Sequence, residues 1–279
     1  MKRSTTTVVG LGCIGGSIAT ALNANGALVR GWSTSGDDCA RARELHIDVP
    51  DRSLAQAVAG ARLVIIAVPV QAIAAVAAVV TASAPAESTI IHCGGVQSRP
   101  SLHLDEAASA RVIGAHPLAG SHESGFAAAR ADLFAGCRVS IESRASDEAR
   151  ERNEWLWNVL GAMRLDYRSA EEHDAMMVWI SHLPQLVSTA LAATFAAEHI
   201  DPESVGPGAR DTTRLAASAF EQWSSLVQAQ PVVLDAALAK LESSVAGLRA
   251  ALSRGDQRAL RTIWDAASDW RRSAEPPSS

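Results

Sequence analysis

TTTVVGLGCIGGS, residues 5–17, decides the fold. A short β-branched run ends at Gly10; Gly10, Gly12 and Gly15 follow as GxGxxG, and Gly16 to Asn25 then reads as a helix. Strand, glycine turn and helix in this order open a βαβ unit that binds a dinucleotide. Gly10 permits the tight turn, Gly12 lets backbone approach a pyrophosphate, and Gly15 allows the helix to pack closely. The N–H groups at the helix start then face the anion.

Outward from this turn, short apolar runs alternate with helical segments: ALVRGW (27–32), Arg41 to Leu45, LVIIAV (63–68) with its helix, and STIIHCG (88–94). Continuous apolar strands spaced by helices indicate a doubly wound, Rossmann-type α/β domain with a parallel sheet. VIGAH, CRVSIES and MRLDYRS continue as strands, with a helix from Asp147 to Leu160. After Ser169 the chain reads as helices, broken near Pro202 to Gly208 and at Pro231, with a polar tail EPPSS. Two domains are expected: 1–168, binding the dinucleotide, and 169–279, helical. Leu215 to Leu252 is apolar on more than one face, which points to a helical dimerisation surface. Ile14 inside the glycine turn, and Val68 and Pro69 after the third strand, belong with the cofactor site.

The end of the second strand chooses between nicotinamides. An NAD site places Asp or Glu there to hold the ribose 2'-hydroxyl. This chain has Ser33, Thr34 and Ser35, which tolerate a 2'-phosphate, with Arg41 or Arg43 within approach and Asp37 and Asp38 close by. The reading leans to NADP over NAD.

Composition excludes other classes. Net charge is -5 with Lys and Arg scattered, so nucleic acid is not an expected partner. The 4 cysteines, Cys13, Cys39, Cys93 and Cys137, show no CxxC spacing and read as free thiols. Leu63 to Val80 is uncharged and about the length of a membrane span, but Pro69 and Gln71 interrupt it, and strand followed by helix is the better reading. Met1 to Arg3 leaves no room for an apolar leader, so a cytosolic, non-membrane protein is expected.

GAHPLAGSHESGFAAARADLFAG, residues 114–136, carries the chemistry. His116 follows a buried strand on the edge where such sheets bind ligands, and an imidazole is a proton acceptor near neutrality. By itself the segment also fits a His-Pro turn. It closely resembles the HPxAGxxxSG segment of prephenate and arogenate dehydrogenases. The resemblance extends to EHD (172–174), SHLPQL (181–186), GPGARDTTRLA (206–216) and Trp223, over about residues 8–223.

The resemblance implies oxidative decarboxylation of a cyclohexadienyl acid in tyrosine synthesis, with hydride passing to the nicotinamide. His116 then takes the ring hydroxyl proton. Arg214 holds a substrate carboxylate, with Arg210 one turn earlier, and Ser121, Ser181, His182, Gln185 and Trp223 line the substrate pocket. Without the resemblance, Arg210 and Arg214 read as a solvated helix face and Trp223 as core.

Three departures stand out. Many members carry DxGSxK where this chain has HCGGVQ (92–97), so Gly95 replaces a serine that also touches the hydroxyl; Ser98, Ser121 or a water are candidates to replace it. His122 replaces a glutamate, with Glu123 one place later. Gln185 stands where several prephenate enzymes have histidine, which makes an ammonium-bearing substrate, arogenate, compatible. A relative acting on an amino-substituted analogue, and a silent nicotinamide-binding regulator, remain rival readings.

Overall fold

The structure, a computed structural model, describes residues 5–98, 111–120, 123–144 and 146–274. Ser121 and the EPPSS tail lie outside them. By compactness the chain divides into Met1–Ala229 and Gln230–Ser279.

The first unit is built on a seven-stranded sheet: β1 Thr6–Val9, β2 Val29–Trp32, β3 Leu63–Ile66, β4 Thr89–His92, β5 Val112–Pro117, β6 Arg138–Glu142 and β7 Arg164–Arg168, in the order β2-β1-β3-β4-β5-β6-β7. Successive strand residues face opposite sides, and both sides are apolar. Val8, Leu63, Ile65, Ile91, Ile113 and Ala115 enter one core, and Val9, Val64, Ile66, Ile90 and Val112 enter the other. Helices α1 Cys13–Ala24, α2 Gly36–Glu44 and α5 Asp147–Val159 cover the first face, and α3 Leu54–Val58 and α4 Val70–Ser83 the second. The fold is the doubly wound one read from the sequence, and Leu63 to Val80 is strand plus helix.

Three details differ. Helix α1 starts at Cys13, inside the glycine turn rather than at Gly16. Helix α2 starts at Gly36, five residues before Arg41: Ser35 accepts from Asp38 N at 3.2 Å, and Asp37 and Asp38 complement the first turn. The sheet is not wholly parallel, because β6 pairs antiparallel with β5, and β7 pairs parallel with β6. A parallel neighbour needs a crossover that returns the chain to the start of the strand. Residues 126–130 instead stay by helices α1 and α2: Phe126 N donates to Asp38 Oδ1 at 2.7 Å and Arg130 N to Ser17 Oγ at 2.9 Å. The next strand therefore begins where β5 ends and runs back.

Beyond β7, α6 Ala170–Met177, a π turn Val178–His182 and α7 Leu183–Ala197 form one continuous helix. Pro184 has no N–H to give the preceding turn, and the helix widens there. By length and composition this helix could cross a membrane. Its polar His173, Asp174, His182, Gln185 and Ser188 are buried against the rest of the protein. Helices α8 Pro207–Thr213 and α9 Phe220–Ala229 complete this unit, joined by a 3-10 turn Arg214–Ala217. The second unit contains α10 Pro231–Ser253 and α11 Gln257–Ser273. The four cysteines are free thiols.

The glycine turn is where backbone sterics are tightest. Gly10 has φ +89, and a Cβ at Gly15 would stand 1.8 Å from the Gly10 carbonyl oxygen. Gly15→Ala must push helix from strand, and overpacking of this kind costs ~1–3 kcal/mol or more. A thermal melt should show Tm lower by several degrees; an unchanged Tm would disprove the close-packing role.

Candidate active site

The C-terminal ends of β1, β3, β4 and β5 meet at one edge of the sheet, where such folds bind ligands. They open on a cleft of about 1410 Å³. Ligand pockets usually hold ~300–1,000 Å³, so a cofactor and a substrate fit together.

Gly12, Cys13 and Ile14 from the turn, Ala67, Val68 and Pro69 after β3, and Cys93 to Gly95 after β4 line one part of the cleft. Gly12 caps α1 with no side-chain hydrogen bond, and the first turn has no acidic residue, so its N–H groups are open to an anion. A Cβ built on Gly12 meets nothing within 4 Å, as expected where backbone faces a ligand. These residues fit a dinucleotide pyrophosphate. Gly10 and Gly15 shape the turn from behind. Ser33, Thr34 and Ser35 follow β2 outside the cleft lining; Ser33 Oγ accepts from Ser35 N at 3.2 Å.

His116, half-buried at the end of β5, faces the cleft. Its Nδ1 lies 3.0 Å from His173 Nε2, and His173 Nδ1 lies 2.7 Å from Asp174 Oδ1. Asp174 also accepts from Gln97 N and Ser98 N, each at 2.8 Å. Burial raises its pKa, but the bonds from His173, Gln97 and Ser98 outweigh that and hold it below the ordinary carboxylate value. A carboxylate only accepts, so the proton on the His173–Asp174 contact sits on His173 Nδ1. In the tautomer in which His173 Nε2 accepts, the next proton sits on His116 Nδ1. His116 Nε2 is left as a bare lone pair. Burial, and then the fields of His173, His182 and His92, push the His116 pKa down to about 3, against a smaller raising effect of Asp174. At neutral pH His116 is therefore an acceptor.

Position 95 adjoins this lone pair. A Cβ on Gly95 would lie 3.6 Å from His116 Nε2 and 3.3 Å from Leu226 Cδ2. Ser98 bonds Asp174 through both its N–H and its side chain.

Gln185, Arg214, Leu215, Glu221, Trp223 and Leu226 line the remainder of the cleft, with Glu123 and Arg130 from the loop after β5. Other expected substrate residues stand elsewhere. His182 is buried behind Trp223, with ring centroids 6.0 Å apart. Ser181 lines a smaller cavity of about 250 Å³ that also reaches His116. Arg210 is exposed, its Nε donating to the Val205 carbonyl oxygen at 3.0 Å.

Two family models match the chain: the nucleotide-binding domain of prephenate dehydrogenase over residues 18–161 and its dimerization domain over 169–265. The chain belongs to the prephenate dehydrogenase family. Among its relatives, a prephenate dehydrogenase of Bacillus subtilis is 32% identical over 81% of this chain and 64% of its own length. A cyclohexadienyl dehydrogenase of Zymomonas mobilis is 29% identical over 89% of this chain and 88% of its own. The chain thus spans a little under two thirds of the Bacillus relative. The fold matches Aquifex aeolicus prephenate dehydrogenase, solved with hydroxyphenyl propionate and NAD+, at TM-score 0.86 and 23% identity over 99% of both chains. It also matches Synechocystis arogenate dehydrogenase at TM-score 0.79 and 22% identity, over 97% of this chain and 100% of that one.

Within this prephenate dehydrogenase family site, sequence reading gave His173 and Asp174 no role. Their signal was EHD itself: Glu172 closes a capping box with Ser169, which starts α6 and leaves the next two residues buried against His116. Asp174→Asn removes the charge that stabilises His116 once it is protonated, so kcat should fall ~10- to 100-fold. The acid limb of kcat/KM, already below 6.5 in the parent because burial depresses His116, should move lower still, with cofactor affinity unchanged. A limb at 6.5 or above in the parent enzyme would mean that another group is the base.

Proposed function

We propose that the protein is a cytosolic, nicotinamide-dependent dehydrogenase that oxidises and decarboxylates prephenate or arogenate in tyrosine synthesis. The observation that carries this is the bare His116 Nε2, held by Asp174 and His173 in the same cleft as the glycine turn and Arg214. When bound, the nicotinamide supplies the hydride acceptor. His116 Nε2 takes the ring hydroxyl proton as the carbon–hydrogen bond breaks, and its Nδ1–H then shares the positive charge with His173 and Asp174. Arg214 orients the substrate through a carboxylate, as a planar guanidinium suits. Once the ring carbonyl has formed, loss of carbon dioxide returns the electrons of the broken bond to the ring, and the phenolic oxygen forms beside protonated His116. Trp223 and Leu226 wall the ring side of the cleft.

The preferred cofactor is NADP. Neither Asp nor Glu follows β2 directly, and the nearest carboxylate, Asp38, is engaged by Phe126 N. Arg43 is committed to the Val49 carbonyl oxygen at 3.0 Å, which leaves Arg41 as the nearby cation. The working form is a homodimer: the dimerization model covers residues 169–265, and Ile263, Trp264 and Trp270 expose one apolar stripe of α11. Gly95 favours a second reading, a ring substrate bearing an amino group where the hydroxyl would be, because the position beside the base carries no hydroxyl of its own.

Absorbance of the reduced cofactor, followed for prephenate and arogenate each with NAD and NADP, tests the reading. Turnover is expected in at least one reaction, and His116→Ala should abolish it while cofactor still binds. An unchanged rate in that variant would remove His116 as base. Ser33→Asp should shift preference towards NAD by repelling a 2'-phosphate; an unaltered NAD/NADP ratio would show that the 2' position is read elsewhere.

A further inference from the structure

The loop after β5 is clamped onto the helices beside the glycine turn by its backbone. Phe126 N donates to Asp38 Oδ1 on α2 at 2.7 Å, and further along Arg130 N donates to Ser17 Oγ on α1 at 2.9 Å. The Ser17 hydroxyl donates in turn to the Cys13 carbonyl oxygen at 2.6 Å, which ties the backbone of Arg130 to the first turn of α1. Between the clamps, Phe126 and Ala129 fill the place that a side chain at Gly16 would take. Arg130 therefore keeps its station beside the start of α1 whatever its own side chain does.

That side chain lines the cleft together with Gly12, Cys13 and Ile14. Among the described residues its guanidinium has Asp132 as partner, 3.7 Å from Nε, and both side chains are exposed. An ion pair so long and so solvated holds its members weakly. The surface around it lacks positive charge. The first turn of α1 carries no acidic residue and offers N–H groups alone, Val68 and Pro69 are neutral, and burial keeps Cys93 a thiol by raising its pKa to about 12. Arg130 and Arg214 are the two cations among the described residues lining the cleft, and Arg214 stands with Leu215 and Trp223 on the substrate side. Glu123, from the same loop as Arg130, adds a negative charge to the lining.

A dinucleotide brings a doubly charged pyrophosphate to this turn, and the partial charge of a helix end offsets only part of it. A guanidinium supplies the remainder, because its planar fork matches two phosphate oxygens. Resting on the dinucleotide reading above, we propose that Arg130 is a cofactor-positioning residue whose guanidinium pairs with the pyrophosphate at the N-terminus of α1. The other anion that a dinucleotide can carry is a 2'-phosphate. Ser33, Thr34 and Ser35 after β2 lie outside the cleft lining, whereas Arg130 lines it with the glycine turn, which favours the pyrophosphate. The segment that leads away from His116 thus also holds the cofactor.

The test reads binding rather than turnover: dissociation constants for NADH and NADPH, from cofactor fluorescence without substrate, on the full chain and on Arg130→Gln. Loss of a hydrogen bond to a charged group should weaken binding about tenfold, and by the same factor for both dinucleotides, since both carry the pyrophosphate. The melting temperature should not move, because the side chain is exposed. Unchanged constants for both would overturn the assignment. A loss confined to NADPH would overturn it too, by showing that Arg130 reads the 2'-phosphate. In the parent chain, labelling of Arg130 by phenylglyoxal, followed by peptide mass spectrometry, should be suppressed by saturating NADH and not by adenosine. Labelling undiminished by NADH would overturn the assignment without any variant. A parent chain that binds neither NADH nor NADPH would overturn the dinucleotide reading, and this assignment with it.

Discussion

The site depends on one buried carboxylate. Asp174 accepts from His173, Gln97 N and Ser98 N, and so joins α6 to the segment after β4 and, through His173, to the end of β5. Moving a charge out of water is expensive, and these three donors offset the cost; removing a partner from such a buried group typically costs ~3–5 kcal/mol. The same bonds connect Asp174 to His116 through His173. Packing and catalytic readiness are therefore one arrangement here: the contacts that hold the elements together also leave Nε2 bare.

The loop after β5 gives that arrangement its setting. Because Phe126 and Arg130 are tied to Asp38 and Ser17, the segment following His116 stays against α1 and α2, the helices of the cofactor site. Gly16 has no Cβ because Phe126 and Ala129 occupy the place, within 2.8 Å and 2.9 Å of where it would stand. Helices α1 and α2 and the loop after β5 thus share one packed surface, and the reversal of β6 is its topological consequence. Pro184 acts similarly on the other side of the cleft, widening the helix so that His173, Asp174, His182 and Gln185 all remain buried.

The departures from the family pattern also have places in the packing. His92 is buried, with its Nδ1 accepting from Gly94 N at 3.4 Å, and burial holds its pKa down to about 4. Gln97 lies against Gly114 and donates to the Ser140 carbonyl oxygen at 3.1 Å, linking the segment after β4 to β6. Both groups are neutral at physiological pH, so neither leaves an uncompensated charge in the core. Gly95 opens space at His116 without disturbing the relay behind it.

The sequence by itself determined the doubly wound sheet, the glycine turn, the strand and helix within Leu63 to Val80, and His116 at a strand end. These are local: β-branched runs, glycine spacing and a proline act over a few residues, and their physical consequences need no distant partner. Only the tertiary structure decided that β6 runs backwards, that Arg210 stays outside while Arg214 lines the cleft, and that His173 and Asp174 stand behind His116. Each of them depends on a hydrogen bond or close contact between residues far apart in the chain, and no pattern of spacing within one segment encodes which distant carbonyl, carboxylate or imidazole will meet it.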